Sequence, residues 1–148
     1  MNKISTKIAE TDNLYMKAQG SGIIHNVSSG VGITGFRGIS GYASTKGAIE
    51  SLTRSLSLEF GGHGICFTLM HPPLTNTKSA APLGIPVQAM ADPQSVGRKL
   101  AGKILSTRPV ITPNFQTSLY LLLARKFPGV VGKLFCKLTE NAQLKPQK

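Results

Sequence analysis

The stretch from Gly22 to Glu50, GIIHNVSSGVGITGFRGISGYASTKGAIE, decides the fold predicted for this chain. It begins with an apolar run over residues 23–27, bounded by glycine and serine, which predicts a short buried strand. A glycine-containing loop over residues 28–40 follows. Apolar residues then recur at spacings of three and four, which predicts a helix over about 40–60 with one buried apolar stripe. The stripe consists of Ile49, Leu52, Leu56 and Phe60.

The chain after this helix continues the alternation of strand and helix. Gly61 and Gly62 are expected to end the helix, because glycine tolerates the left-handed cap conformation. Residues 65–70 form a second apolar run without polar alternation, which is typical of a parallel strand covered on both faces. Residues 71–91 are rich in proline and glycine and predict a long loop over a site.

Asp92 and Pro93 predict the start of another helix, because aspartate caps exposed N–H groups and proline suits the first helical position. Its expected apolar edge is Val96, Leu100 and Ile104. A third strand is predicted over 110–112. We therefore expect an α/β fold of the partial doubly wound, Rossmann-like kind, with a parallel sheet and flanking helices. The length of 148 residues predicts a single domain over 1–148, in which about 113–148 form a C-terminal helical extension.

Composition and charge exclude several classes of protein. The net charge is +11, and residues 93–148 hold ten lysine and arginine residues against one acid, Glu140. No aromatic residues alternate with these basic ones and no zinc-finger spacing occurs, so nucleic acid is not expected as a partner. No signal peptide and no apolar run of about 20 residues is seen, which favours a cytoplasmic location. Cys66 and Cys136 are expected to be free, buried thiols, and no metal-ligand spacing is present.

The residues that indicate chemistry are Ser29, Tyr42 and Lys46. Tyr42 and Lys46 are four residues apart in the predicted helix and therefore share one face. An ammonium beside a phenol favours the phenolate and lowers the phenol's pKa from its ordinary value of about 10. Ser29 follows the first strand, and ligands bind at the carboxyl ends of strands in open α/β sheets. The three groups together suit carbonyl reduction or alcohol oxidation.

Residues from Gly20 to about Ala81 resemble the short-chain dehydrogenase/reductases. GIIHNVSS, ending at Ser29, resembles the strand that leads to the active-site serine of that family, and GYASTKGAIE, from Gly41, resembles its tyrosine–lysine helix. The resemblance implies that Ser29 polarises the substrate oxygen and that Tyr42 donates or accepts the proton. It implies that Lys46 binds the nicotinamide ribose of NAD or NADP and lowers the pKa of the tyrosine.

The resemblance extends to the loop after the second strand. Pro72 and Thr77 match positions that contact the cofactor, whereas Pro73 stands where the family usually has glycine. The family's glycine-rich cofactor turn belongs upstream of the serine, so the N-terminal cofactor-binding half is expected to be absent from this chain. Gly30, Gly32 and Gly35 match the spacing of such a turn, but no helix starts directly after them, which favours an active-site loop.

Three functions stay open from the sequence. The first is an NAD(P)-dependent oxidoreductase, or a fragment of one, that acts on a small-molecule carbonyl or alcohol substrate. Its oligomeric state stays open; the resemblance implies that a homo-oligomer is one option, because members of the family are usually dimers or tetramers. The second is a truncated, catalytically silent derivative that packs on a partner such as a full-length relative. The third is a basic module on a membrane surface, indicated by the apolar and basic residues after Ser118, although packing of those residues as a helix pair over the pocket or against a subunit is favoured.

Overall fold

Three parallel strands form the sheet in the computed structural model, which describes residues 15–78, 80 and 85–143. They are β1 (Gly22–Val27), β2 (Ile65–Met70) and β3 (Val110–Ile111), in the order β1-β2-β3. β1 pairs with β2 along its full length, from Gly22 opposite Ile65 to Val27 opposite Met70. The predicted α/β fold with a parallel sheet is confirmed.

Five α-helices surround this sheet in the part of the chain that the structure describes beyond β1. They are α1 (Val31–Thr34), α2 (Ser40–Phe60), α3 (Pro93–Ala101), α4 (Phe115–Lys126) and α5 (Pro128–Gln143). Short 3₁₀ turns occupy Gly61–His63 and Val87–Ala89. None of the described helices combines the length and apolar character needed to cross a membrane.

The core is centred on β2, the middle strand. Ile65, Phe67, Leu69 and Met70 of this strand are buried, together with Ile111 of β3. Burial of nearly every side chain of β2 is what a parallel strand with both faces covered requires. Because the strands are parallel, their carboxyl ends lie at the same edge of the sheet. The loops that carry the predicted site residues begin at this edge.

The predicted apolar stripe of α2 is only partly buried. Ile49, Leu56 and Phe60 are half-buried, and the Phe60 ring lies 6.1 Å from that of Phe67, but Leu52 is 49% exposed. The fully buried residues of the helix are Glu50 and Thr53. Asn26 of β1 donates a hydrogen bond to Thr53 Oγ1 (2.9 Å), and Ser57 Oγ donates to the carbonyl of Phe67 (3.4 Å). Hydrogen bonds to the sheet thus add to the apolar contacts in fixing the rotation of the helix.

Three predicted boundaries also change. The loop over 28–40 contains the helical turn α1, closed by a hydrogen bond from the Thr34 N–H to the Gly30 carbonyl (3.1 Å). The left-handed conformation after α2 belongs to Gly64 (φ 74°), because residues 61–63 continue as a 3₁₀ turn.

The third change concerns the end of α3. Asp92 caps this helix as predicted, accepting from the N–H of Ser95 (2.7 Å). The helix ends at Ala101, however, so Ile104 lies outside it and is exposed. The carbonyl of Ile104 instead contacts His25 Nε2 (2.7 Å), which ties the segment after α3 to β1.

Candidate active site

A cavity of about 830 Å³ lies at the carboxyl ends of β1 and β2. It is lined by every residue that the sequence proposed for the site, namely Ser29, Tyr42, Lys46, Pro72 and Thr77. The loop over 71–91 contributes further lining through Leu74, Thr75 and Ala91. The serine, the phenol and the ammonium therefore border the same cavity, and their roles there stay a prediction.

Tyr42 and Lys46 are adjacent on the first two turns of α2. The Lys46 ammonium lies 5.6 Å from the centroid of the Tyr42 ring and donates a hydrogen bond to the carbonyl of Val27 (2.9 Å). Val27 is the last residue of β1, so the hydrogen bond anchors the lysine two residues before Ser29. Tyr42 borders the cavity and is 44% exposed.

Ser28 holds the strand end against α2. It is fully buried; its N–H donates to the Met70 carbonyl (2.9 Å), and its hydroxyl donates to the Lys46 carbonyl (3.3 Å). Ser28 thus fixes β2, β1 and α2 relative to one another, and both Ser28 and Ser29 border the cavity. The sequence proposed only Ser29, because it stands thirteen residues before Tyr42, as the resemblance to the family implies.

The glycines between Ser29 and Tyr42 allow close packing around the site. A side chain at Gly30 would place its Cβ 2.4 Å from Tyr120 Cε1, and one at Gly32 would lie 2.7 Å from the Lys46 carbonyl carbon. Gly30 is therefore covered by the C-terminal part of the chain, and Gly32 by the backbone of α2. Packing thus accounts for Gly30 and Gly32, whereas Gly35 has open surroundings and a positive φ of 71°.

The loop after β2 is held by the sheet and by itself. The His71 N–H donates to the Ile111 carbonyl (2.8 Å), which extends the pairing of β2 with β3 by one residue. The Ala91 N–H donates to the Leu74 carbonyl (2.8 Å), and the Asn76 N–H donates to the Ala91 carbonyl (3.0 Å). These two hydrogen bonds join the beginning of the loop to its end. Pro72 and Thr77 reach the cavity from this closed loop.

A buried ionic cluster that sequence reasoning missed lies behind the cavity wall. Glu50, one turn beyond Lys46 on α2, is 3% exposed, and its Oε1 is 2.9 Å from Nε2 of His71, which is fully buried. Arg125 of α4 and Arg54 approach Oε2 at 3.6 and 3.5 Å. The contact between Glu50 and His71 thus brings a carboxylate oxygen and an imidazole nitrogen together in the interior of the protein.

The pKa of the Glu50 carboxyl reflects two opposing effects. Burial raises it, but His71, the Ser28 hydroxyl and the Arg125 guanidinium together hold the pKa below its ordinary value. Glu50 is therefore ionised at neutral pH in a nearly dry position. The cluster joins α2, the loop after β2 and α4, which are three of the elements that line the cavity.

The C-terminal helices supply the remaining wall. Asn114, Thr117, Tyr120 and Leu121 line the cavity from the start of α4, and Phe135 does so from α5. Burial raises the pKa of the Tyr120 phenol, and Thr34 partly opposes this effect. The sequence favoured a C-terminal helix pair that packs either over the pocket or against a subunit, and it did not indicate which residues line the cavity.

Residues 7–86 match the family model described as short chain dehydrogenase. The chain belongs to the short-chain dehydrogenase family. The match covers the strand that ends at Ser29, the Tyr42–Lys46 helix and the loop with Pro72 and Thr77. The resemblance inferred from the two motifs is confirmed.

Curated short-chain dehydrogenases share part of this sequence. A cis-4-hydroxycyclohexanecarboxylate dehydrogenase from Sinomonas cyclohexanicum is 38% identical over 85 residues, which are 57% of this chain and 34% of the relative. A 3-alpha-(or 20-beta)-hydroxysteroid dehydrogenase from Mycobacterium bovis is 44% identical over 62 residues, or 42% of this chain and 24% of the relative. The chain thus matches about a third or less of the length of these enzymes.

Solved structures of short-chain dehydrogenases have the same fold. A short-chain dehydrogenase from Sphingobium yanoikuyae in complex with NADPH aligns with a TM-score of 0.66 at 21% identity, covering 97% of this chain and 54% of that one. The bulky-bulky ketone specific alcohol dehydrogenase from Comamonas testosteroni gives 0.62 at 24% identity, over 82% of this chain and 47% of that one. The Rossmann-like fold class is therefore confirmed.

Proposed function

We propose that this protein is an NAD(P)-dependent oxidoreductase that transfers a hydride between a nicotinamide cofactor and a carbonyl or alcohol substrate. The observation that carries the proposal is the single cavity that holds Ser29, Tyr42 and Lys46 at the carboxyl ends of β1 and β2. Membership in a family of dehydrogenases supports it. The proposal takes the chain as one domain, with residues from 113 onward as a helical extension over the site.

Each of the three side chains has a defined role in this proposal. Ser29 donates a hydrogen bond to the substrate oxygen and positions it beside Tyr42. Tyr42 gives a proton to that oxygen during reduction and takes it back during oxidation. Lys46 places its positive charge beside Tyr42, and its anchor on the Val27 carbonyl keeps the ammonium next to the ring.

The donor groups in the cavity suit the nicotinamide end of NAD or NADP. The Lys46 ammonium would hold the ribose hydroxyls, and the Thr77 hydroxyl would contact the nicotinamide side. Pro73 has no N–H to offer, so Thr77 and the backbone around it carry the polar contacts of this loop. When bound, the cofactor supplies or accepts the hydride.

The lining indicates an apolar substrate. Phe36, Ile39, Val96, Leu121 and Phe135 surround the polar groups of the cavity. Side chains of this kind favour a ligand whose apolar body is buried while one oxygen meets Ser29 and Tyr42. We therefore propose a small-molecule alcohol or ketone with a substantial hydrocarbon part.

The first prediction tests the role of Tyr42 with the substitution Tyr42→Phe in the full chain. Loss of the phenolic hydroxyl removes the proton donor, so turnover is expected to fall by about 100-fold or more. The measurement is the rate at which NADH or NADPH is oxidised, followed by its absorbance, with a panel of cyclic and aromatic ketones as substrates. Cofactor binding, followed by nicotinamide fluorescence, is expected to change little.

Tyr15→Phe is the matched control, because Tyr15 is exposed and lies outside the cavity lining. It is expected to retain full turnover. Equal activity of Tyr42→Phe and the parent protein would refute the assignment of Tyr42. Failure of the parent protein to bind either nicotinamide cofactor would refute the proposed reaction itself.

A further inference from the structure

The two C-terminal helices expose a series of large apolar side chains. On α4 they recur at spacings of three and four, and on α5 at spacings of four, so each helix carries one apolar stripe. The exposed residues are Phe115, Leu119, Leu122 and Leu123 on α4, Phe127 between the helices, and Val130, Leu134 and Leu138 on α5. Leu122 is 64% exposed and Val130 is 67% exposed, so the described residues leave this surface open.

Basic side chains accompany both stripes. Lys126 is the last residue of α4, and its ammonium lies 5.5 Å from the centroid of the Phe127 ring. On α5, Lys133 directly precedes Leu134 and Lys137 directly precedes Leu138. The one acid of this region, Glu140, pairs with Arg37. An excess of positive charge beside exposed apolar residues is the pattern of a helix that lies on an anionic bilayer surface.

A second observation at the same place points to a ligand with negative charge. A cleft of about 520 Å³ lies between the segment Thr34–Arg37 and α5. Arg37, Lys133 and Lys137 line it, and Leu134 of the apolar stripe borders it. Gly132 allows the close approach of α5 to this segment, since a Cβ there would lie 2.9 Å from the Thr34 carbonyl oxygen.

We propose that α4 and α5 dock on the surface of an anionic phospholipid bilayer, with Lys133 and Lys137 at the cleft receiving a lipid phosphate, since Arg37 there already pairs with Glu140. The apolar stripes enter the interface between headgroups and acyl chains, and the lysines meet the headgroups. The opposite side of α4 stays in the protein, where Thr117, Leu121 and Ala124 are buried. This inference goes beyond the proposed reaction and does not depend on it.

The second prediction tests this surface by co-sedimentation of the full chain with vesicles. We expect binding to vesicles of phosphatidylcholine with phosphatidylglycerol, and little binding to phosphatidylcholine alone. Each basic side chain near an anionic leaflet contributes about fivefold in affinity, so Lys133→Gln with Lys137→Gln is expected to weaken binding about 25-fold. Leu134→Gln with Leu138→Gln, which keeps every charge, is expected to weaken it as well.

Lys17→Gln with Lys99→Gln is the matched control, because it removes the same charge outside α4 and α5. It is expected to change binding about twofold or less, and circular dichroism verifies that each variant is folded. Equal binding to both kinds of vesicle, an unchanged affinity of the Lys133/Lys137 variant, or no effect of the Leu134/Leu138 variant would each overturn the proposal. Full competition by inorganic phosphate would do so too, because the cleft would then be a site for a soluble anion.

Discussion

Single glycines set the distance between the site's backbone segments, and Gly32 is the clearest case. Its Cα faces the backbone of α2, so an added Cβ meets the Lys46 carbonyl carbon at 2.7 Å and the Gly47 nitrogen at 2.9 Å. Backbone atoms of a long helix cannot move aside as a flexible side chain does. The contact thereby couples the turn after Ser29 directly to the helical turn that carries Lys46.

The third prediction is that Gly32→Ala destabilises the fold by about 1–3 kcal/mol, the usual cost of overpacking. The measurement is the free energy of unfolding from urea denaturation. Gly41→Ala is the matched control, because Gly41 begins α2 with no atom within 4 Å of an added Cβ. The control is expected to be neutral or slightly stabilising. Equal stability of the two variants would contradict the packing role of Gly32.

The elements show which parts of the fold a local pattern predicts. β1, β2 and α2 were predicted with nearly correct bounds, because apolar runs and glycine breaks are local signals. The predicted apolar stripe of α2 was only partly right, because Leu52 is exposed while the rest of the stripe is half-buried. Asn26 and Phe67 of the sheet form hydrogen bonds with Thr53 and Ser57, which brings those polar residues to the buried side as well. Periodicity detects a helix, but partners distant in sequence decide which side it buries.

The candidate site shows the same difference between local sequence signals and contacts that are distant in sequence. The five residues proposed from the two motifs and from the resemblance of the loop to the family all line one cavity, and their roles stay predictions. Glu50 was passed over although it lies on the same face of α2 as Tyr42 and Lys46, because its partners His71 and Arg125 come from other elements. A carboxylate in a helical sequence is ordinarily exposed, so only the packed structure reveals its burial.

The cap of α4 provides the fourth prediction. Asn114 Oδ1 accepts hydrogen bonds from the N–H and the hydroxyl of Thr117, both at 2.8 Å. Asn114→Ala removes both and is expected to cost about 1 kcal/mol. Asn114→Asp keeps an accepting oxygen at the helix N-terminus and is expected to retain most of that stability. The measurements are urea denaturation and amide exchange over 115–118; a loss of protection equal in both variants would contradict the cap.

At the scale of the whole molecule, the Glu50 cluster joins parts of the chain that are far apart in sequence. The folded-state pKa of Glu50 lies below the ordinary value of 4.5, so the ionised carboxylate favours the folded state. Its contribution is fully present above the unfolded-state pKa and is lost as the pH falls through the folded-state pKa. The protein is therefore expected to lose stability as the pH is lowered below about 5.

The fifth prediction follows from removal of this carboxylate. Glu50→Gln keeps the shape of the side chain but leaves the buried His71 and the Arg125 guanidinium without their anionic partner, so stability at neutral pH is expected to fall. The variant is also expected to lose less stability than the parent protein between neutral pH and pH 4, because it has no Glu50 carboxylate to protonate. Urea denaturation at a series of pH values measures both effects.

Glu59→Gln separates the cluster from a general effect of charge, because Glu59 is an exposed carboxylate on the same helix. It is expected to retain the pH dependence of the parent protein. If Glu50→Gln and the parent protein had parallel stability curves across this range, Glu50 would not be the group that links acid to unfolding. Parallel curves would also mean that the ionised carboxylate does not help to hold α2, the loop after β2 and α4 together. The loss of stability at low pH is the measurement that would detect such a contribution.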